Sequence, residues 1–413
     1  MPVIRKSLLQ LIFSGSFMKR WNDKMRPFEL IEVDKQAHKM MAAWVLCLLN
    51  SRDLDPAERL RLTSEVVEGG IFEYLYRLII TDIKPPVFYR IKDNPEHYRL
   101  LTHWVLEQLS PRLTPLGEDF PSRMAAFFLE DSEDRLTRRI LNAAHLYASY
   151  SEFTLLKGVN DPDEELLDIE QGFLNAIRGY QDLEGMSELM APETSVLGRF
   201  LRMCGRLRFQ KRWSQTPRIP ETSVLGHLHI VACFAWLFCL ELDASPTRRN
   251  NAFFAGLFHD LPELLTRDII SPVKRSAQAI GELIREYELS ELEQRVLAPL
   301  NQGGYSMLAD RLSYLLGLEA GGEFHSTIRE NESVQVVPEE TLAAKDRDEL
   351  DPKDGELVKT CDNLAAFIEA YTALKNGIAS DQLHEAVWRI QRHYRKSAMS
   401  AGLHIGSLLA DFD

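Results

Sequence analysis

Long apolar runs are missing from this 413-residue chain. The longest, Ile230 to Leu240, falls far short of the roughly 20 residues that a membrane span needs, so no membrane partner is expected. The opening stretch MPVIRKSLLQLIFSGSFMKRW has a short apolar segment interrupted by Gln10. Basic residues follow it rather than a small-residue cleavage site, so it does not read as an export signal. Cysteine is scarce: the five present form no CxxC pair and are odd in number, which argues against a zinc knuckle or a disulfide framework. Reduced thiols in a cytoplasmic protein are the expectation. Positive charge is in deficit, with 48 Lys and Arg against 61 Asp and Glu and a formal charge of −13. Duplex nucleic acid is therefore an unsuitable partner, because binding it needs basic surface to displace counterions. A local basic patch can still hold one small anion. Strand signals are also few; SVQVV at 333–337 is the only short alternating β-branched stretch.

What the chain does have is helical spacing, as in Val358, Asp362, Ala365 and Glu369, or Leu225, Leu228, Ala232 and Ala235. Short loops rich in Pro, Gly or acidic residues (DIKPPVF, GVNDPDEE, SQTPRIPE, DELDPKDGE) separate these segments. An all-α fold is expected. The length exceeds what one ordinary core needs, which suggests two domains. Self-comparison supports a duplication. Phe17-Met-Lys-Arg20-Trp21 recurs as Phe209-Gln-Lys-Arg212-Trp213, and AHKMMAAWVLCLL recurs as GHLHIVACFAWLF, placing His38 over His227. IFEYLYRLIITDIKPPV at 71–87 matches LFHDLPELLTRDIISPV at 257–273, and the stretch around His145 resembles that around Asp362. Two tandem helical bundles follow, 1–195 and 196–413.

The second copy carries a chemistry-bearing constellation. His227 and His229 share an apolar helix but lie about 200° apart around it, so only one can face a given site. A lone histidine there is either core or ligand; the repeat selects His227. The apolar run Asn251 to Phe258 ends in His259-Asp260-Leu261-Pro262, where the proline marks a helix stop. A charged pair at the end of such a run is costly to bury unless bonded. Asp362 shares a face with Val358 and Ala365, and either a metal or a salt bridge to Lys359 would partner it. From Arg199 to Pro220 there are seven Lys or Arg and no acidic residue. That excess is either a face docked on the acidic remainder or a phosphate site using Arg212 and Arg218.

The ordered set H…HD…D resembles the HD superfamily of metal phosphohydrolases, and among them the bacterial 5′-deoxynucleotidases. The likeness runs from about Arg206 to Ala379. KRW followed by TPRIPETSVLGH is similar to that family's Arg-Trp pair before the first metal histidine. LFHDLPELLTRDIISPVK is similar to its HD segment, and ELVKTCDNLAAFIEAYTALKNG to its last metal-binding helix. The resemblance implies one divalent ion (Mn, Co, Fe, Ni or Zn) on His227, His259, Asp260 and Asp362, since mixed N/O ligands suit such ions. Between Asp260 and Asp362 only His325 is available as a further imidazole, which favours one metal over two. Glu263 and Asp268 become candidates to orient water or protonate the leaving oxygen. Trp213 either shapes a sugar or base pocket or is a buried structural residue. The implied reaction is hydrolysis of a phosphomonoester, a nucleoside 5′-monophosphate above all. The alternatives are another small phosphate or phosphodiester, or a non-catalytic regulatory module. Two departures stand near the site: Gly226 where the family has Glu, and Arg267 where a small residue is usual. In the first copy Glu73 and Tyr74 replace His-Asp, and His145 falls near the last Asp. His38, Glu73 and His145 are the residues left for a three-ligand site there, but a structural copy is the stronger expectation. Related deoxynucleotidases are homodimers, so the resemblance implies an intramolecular pseudo-dimer.

Overall fold

The computed structural model describes residues 3–117, 119–130, 134–266, 278–331, 333–396 and 402–413. Among them the only sheet is an antiparallel hairpin of β1 (Thr327–Glu330) and β2 (Ser333–Val336). The rest of the regular structure is helical, as the sequence led one to expect, and β2 is the alternating SVQVV stretch.

The first half contains α1 (Lys6–Ser14), α2 (Glu32–Asn50), α3 (Pro56–Ile80), α4 (Pro85–Lys92), α5 (Pro95–Leu113), α6 (Asp119–Leu129), α7 (Leu136–Lys157) and α8 (Glu164–Arg178). A short α9 (Met186–Leu189) leads into α10 (Val196–Gly205), α11 (Val224–Glu241), α12 (Pro246–Phe258) and α13 (Glu263–Thr266). After α14 (Gln278–Leu292), α15 (Ala298–Gln302), α16 (Ser306–Leu315), the hairpin and α17 (Glu339–Ala344) come α18 (Gly355–Lys375) and α19 (Asp381–Lys396).

The helices that build the second-half site begin on side-chain caps. Ser223 accepts from the Gly226 amide at 2.9 Å to start α11, and Asp354 accepts from Leu357 at 2.9 Å to start α18. Ser245 caps α12, with Pro246 in the first turn. These caps set where His227, His259 and Asp362 fall.

α11 is apolar on every face and long enough to cross a membrane, yet 89% of it is buried inside the fold. It packs against α2, α12 and α18, as an all-round hydrophobic helix in a core does. The contact with α2 is close. A Cβ on Gly226 would lie 2.6 Å from Asp34 Oδ1 and 2.7 Å from Val33. Burial is continuous across the repeat boundary: Trp44 of α2 meets Phe258 of α12 at 5.0 Å between rings, and Phe120 meets Trp236 at 6.1 Å. One cluster of buried side chains runs from Ile4 to Phe412. Each such aromatic contributes about 1.5–3 kcal/mol by leaving water.

Candidate metal centre

His227 lies in the first turns of α11 and is fully buried. Its Nε2 is 3.1 Å from Asp362 Oδ1. His229 points elsewhere: its ring packs on Tyr74 at 4.7 Å and its Nε2 meets the Cys233 thiol, so it belongs to the core. His259 follows α12 directly, in the turn that Pro262 closes. Its Nδ1 is 2.9 Å from the Gly256 carbonyl. A carbonyl only accepts, so Nδ1 carries a proton, and in the neutral ring Nε2 is the lone-pair nitrogen. That Nε2 has no hydrogen-bond partner and stands 3.3 Å from Asp260 Oδ2.

Asp362, on α18, offers Oδ1 to His227 and accepts from Lys359 through Oδ2 at 2.7 Å. The expected ion pair with Lys359 and the approach to His227 therefore coexist. Donor atoms of His227, His259 and Asp362 lie within 4.8 Å of one another. Asp260 borders this group without belonging to it. Buried donor atoms without partners are costly, and two imidazoles beside carboxylates match the ligand chemistry of a divalent transition ion. The residues fit such an ion.

Charge is arranged to suit. Burial pushes Asp260 up, but His259 and Arg212 outweigh it and hold the carboxyl well below its usual range. Burial likewise opposes ionisation of Asp362, and His227 and Lys359 reverse that. For His259, burial lowers the imidazole, while Asp260 and then Asp362 raise it overall.

Glu369 is the residue that sequence reasoning missed. It lies on α18 two turns beyond Asp362 and is wholly buried. Its carboxylate accepts from Trp213 Nε1 at 2.8 Å and from Thr222 Oγ1 at 2.8 Å. It lies 3.5 Å from Arg212 Nε and 3.6 Å from His227 Nδ1. Burial works against its ionisation, but Arg212, Arg218 and His227 hold it low. The only sequence signal was a glutamate on the same apolar face as Asp362.

The basic stretch divides. Arg212 faces the site, with Nη1 3.4 Å from Asp260 Oδ2. Arg218 is buried and braces its own loop: it donates to Thr222 Oγ1 at 2.6 Å and lies 5.5 Å over the Trp213 ring. Lys211 pairs with Glu221 and Arg202 with Glu193, while Arg208 turns into the first half toward Glu152. Trp213 spends its indole N–H on Glu369 and packs with Ala370 and Ala373. Glu263 opens α13, half-buried, and its charge acts on Arg212. Asp268 and Arg267 lie outside the described residues. His325 is exposed and outside the donor group.

Residues 204–391 match the family model of the HD domain. No curated protein and no solved structure matches the chain. The HD match begins in α10 and ends in α19, so it takes in His227, His259, Asp260 and Asp362 and leaves the first half outside. HD domains are in general metal-dependent phosphohydrolases, with some non-catalytic members.

The first half repeats the frame of this candidate site with other chemistry. Lys19 bridges Ile31 as Lys211 bridges Ser223. The Arg20 amide donates to Leu30 O at 2.8 Å, and that of Arg212 to Thr222 O at 2.9 Å. Trp21 and Trp213 both have positive φ, 58° and 56°, a conformation that bulky residues rarely adopt. Trp21 Nε1 donates to Glu152 at 3.1 Å as Trp213 does to Glu369. This frame corrects the sequence alignment: Lys35, not His38, stands at the place of His227. Lys35 Nζ meets His145 Nδ1 at 2.8 Å, in parallel with His227 and Asp362. His38 is one turn further on, with Nε2 2.9 Å from Leu201 O in α10. Glu73, opposite His259 in the repeat, pairs with Lys39. The trio His38, Glu73 and His145 thus does not converge on a shared ion, because lysines occupy the space between the latter two.

Proposed function

We propose that the HD half hydrolyses phosphomonoesters, with nucleoside 5′-monophosphates as the substrate class. The observation that supports this is the set of His227, His259 and Asp362 donors within 4.8 Å of one another, beside Asp260 and the partly exposed Arg212. His227, His259, Asp260 and Asp362 would hold one divalent ion, of Mn, Co, Fe, Ni or Zn. Such an ion, when bound, supplies Lewis acidity toward a phosphoryl oxygen and lowers the pKa of water. The chain's own groups do the rest. Arg212, steadied by Asp260 and Glu369, offers a guanidinium to a phosphate oxygen. Glu263, together with Asp268, orients the attacking water or delivers a proton to the leaving oxygen. Trp213 and the Arg218-braced loop form the wall against which a sugar or base rests. The two halves form an intramolecular pseudo-dimer in which the first supports the second.

Purified protein is expected to carry about one transition ion per chain and to turn over 5′-mononucleotides with Mn²⁺ or Co²⁺. Asp260→Ala should abolish both metal retention and turnover, measured by elemental analysis and phosphate release. Full metal occupancy in that variant would sink the ligand assignment. Turnover of a chromogenic phosphate ester but of no mononucleotide would sink the nucleotide reading alone.

A further inference from the structure

The cluster in the first half that corresponds to the metal centre is built on cations. Lys35 and Lys39 are 2% and 0% exposed, a depth at which lysine is almost never found unless paired. Lys35 meets a neutral-type acceptor, His145 Nδ1, at 2.8 Å. Lys39 pairs with Glu73, whose other oxygen is 3.6 Å from Arg138. The Glu73 side chain is 20% exposed, comparable to Asp260 at 18% in the HD site. Beside them stands Arg20, held between Glu152 and Glu32 at 2.8 Å each, in the place that Arg212 holds opposite Glu369. Thus the arginine frame is kept, while ammonium groups take the position where the second half gathers metal donors.

We propose that this cluster is a second, metal-independent binding site for a phosphomonoester, which it holds without hydrolysing. Only the ligand class rests on the nucleotide reading above. Two ammonium groups and a guanidinium supply the charge and the donors that a phosphate dianion needs. They supply no Lewis acid and no activated water, so a bound ester stays intact. Glu73, whose side chain is partly exposed, is the group that an incoming phosphate displaces from Lys39. Burial draws Lys35 down to about 7, and a dianion beside it restores the ammonium form.

The test uses the full chain, stripped of metal and carrying Arg212→Ala to disable the HD site. 2′-Deoxyadenosine 5′-monophosphate is titrated into it by calorimetry. One saturable site per chain is expected, at least about tenfold weaker in Lys35→Met and several-fold tighter in Glu73→Gln. Lys35→Met with Arg212 intact and metal restored should retain turnover, which reports that it folds; if it does not fold, Glu73→Gln decides. Absence of saturable binding in the metal-free protein, or an affinity that neither substitution moves, would overturn the proposal. Turnover by the metal-loaded enzyme without metal-free binding would remove this site and leave the proposed activity standing.

Discussion

Glu369 joins groups from three separate parts of the chain: Trp213 and Thr222 from the loop, Arg212 from the basic stretch, and His227 from α11. A carboxylate on the Nδ1 side of a ligand imidazole fixes its tautomer and raises its basicity. Glu369→Gln keeps the shape and removes the charge. Metal affinity, measured by competition with a chelator, should fall about 10- to 100-fold, and an unchanged affinity would leave Glu369 a purely structural residue. His227, His259 and Asp362, whose donor atoms the fold gathers, were legible because each is a polar residue placed where apolar spacing demands a reason. Glu369 was not, because its partners are close only after the loop has folded over α18. Asp34 makes a second residue-scale case. It is buried between α2 and α11, and burial raises it to about 6 from 3.8, against the Ser223 hydrogen bond and the Arg208 charge. The folded state holds this proton more tightly, so the favourable contribution is complete below about pH 4 and is lost as pH rises through 6. That difference amounts to about 3 kcal/mol. Asp34→Asn should therefore raise Tm at pH 7.5, with the gain vanishing toward pH 4; an increment independent of pH would refute the shift.

Elements were legible where local chemistry marks them. Pro262 announced the end of α12 and the turn that carries His259, and β-branched alternation announced β2. The register of α2 was not legible. Apolar helices align almost equally well when shifted by one turn, and that shift made His38 the apparent partner of His227. The backbone bridges at Lys19 and Lys211 settle the register, and no side-chain pattern encodes them. Gly226 has a similar origin. The departure from the resembled family reflects the α2–α11 crossing, where any Cβ meets Asp34 and Val33. Gly226→Ala should cost about 1–3 kcal/mol through overpacking, seen as a lower Tm with metal stoichiometry retained. A neutral effect would mean that α2 and α11 can separate freely at this point.

Over the whole molecule, the repeat in the sequence suggested two bundles paired as a pseudo-dimer, and no local pattern in either copy marked which side chains join them in one buried cluster. Long-range packing between similar surfaces leaves no local pattern to read. Trp44 on Phe258 and Phe120 on Trp236 tie the halves at their aromatic centres. Unfolding should therefore show a single calorimetric transition. A fragment of 196–413 alone would expose Trp236 and Phe258 to water and should aggregate. Two resolved transitions, or a soluble monomeric fragment with native helicity, would argue for independent domains.

Covalent connection of the halves changes how the candidate metal site depends on concentration. A helix pair assembled from separate subunits comes apart when the protein is diluted below its dissociation constant. Here α2 is tethered to α11 through the intervening chain, so the partner is always present at a high effective concentration. The wall behind His227, set by the close approach of Asp34 and Val33 to Gly226, therefore persists in a single molecule at any dilution.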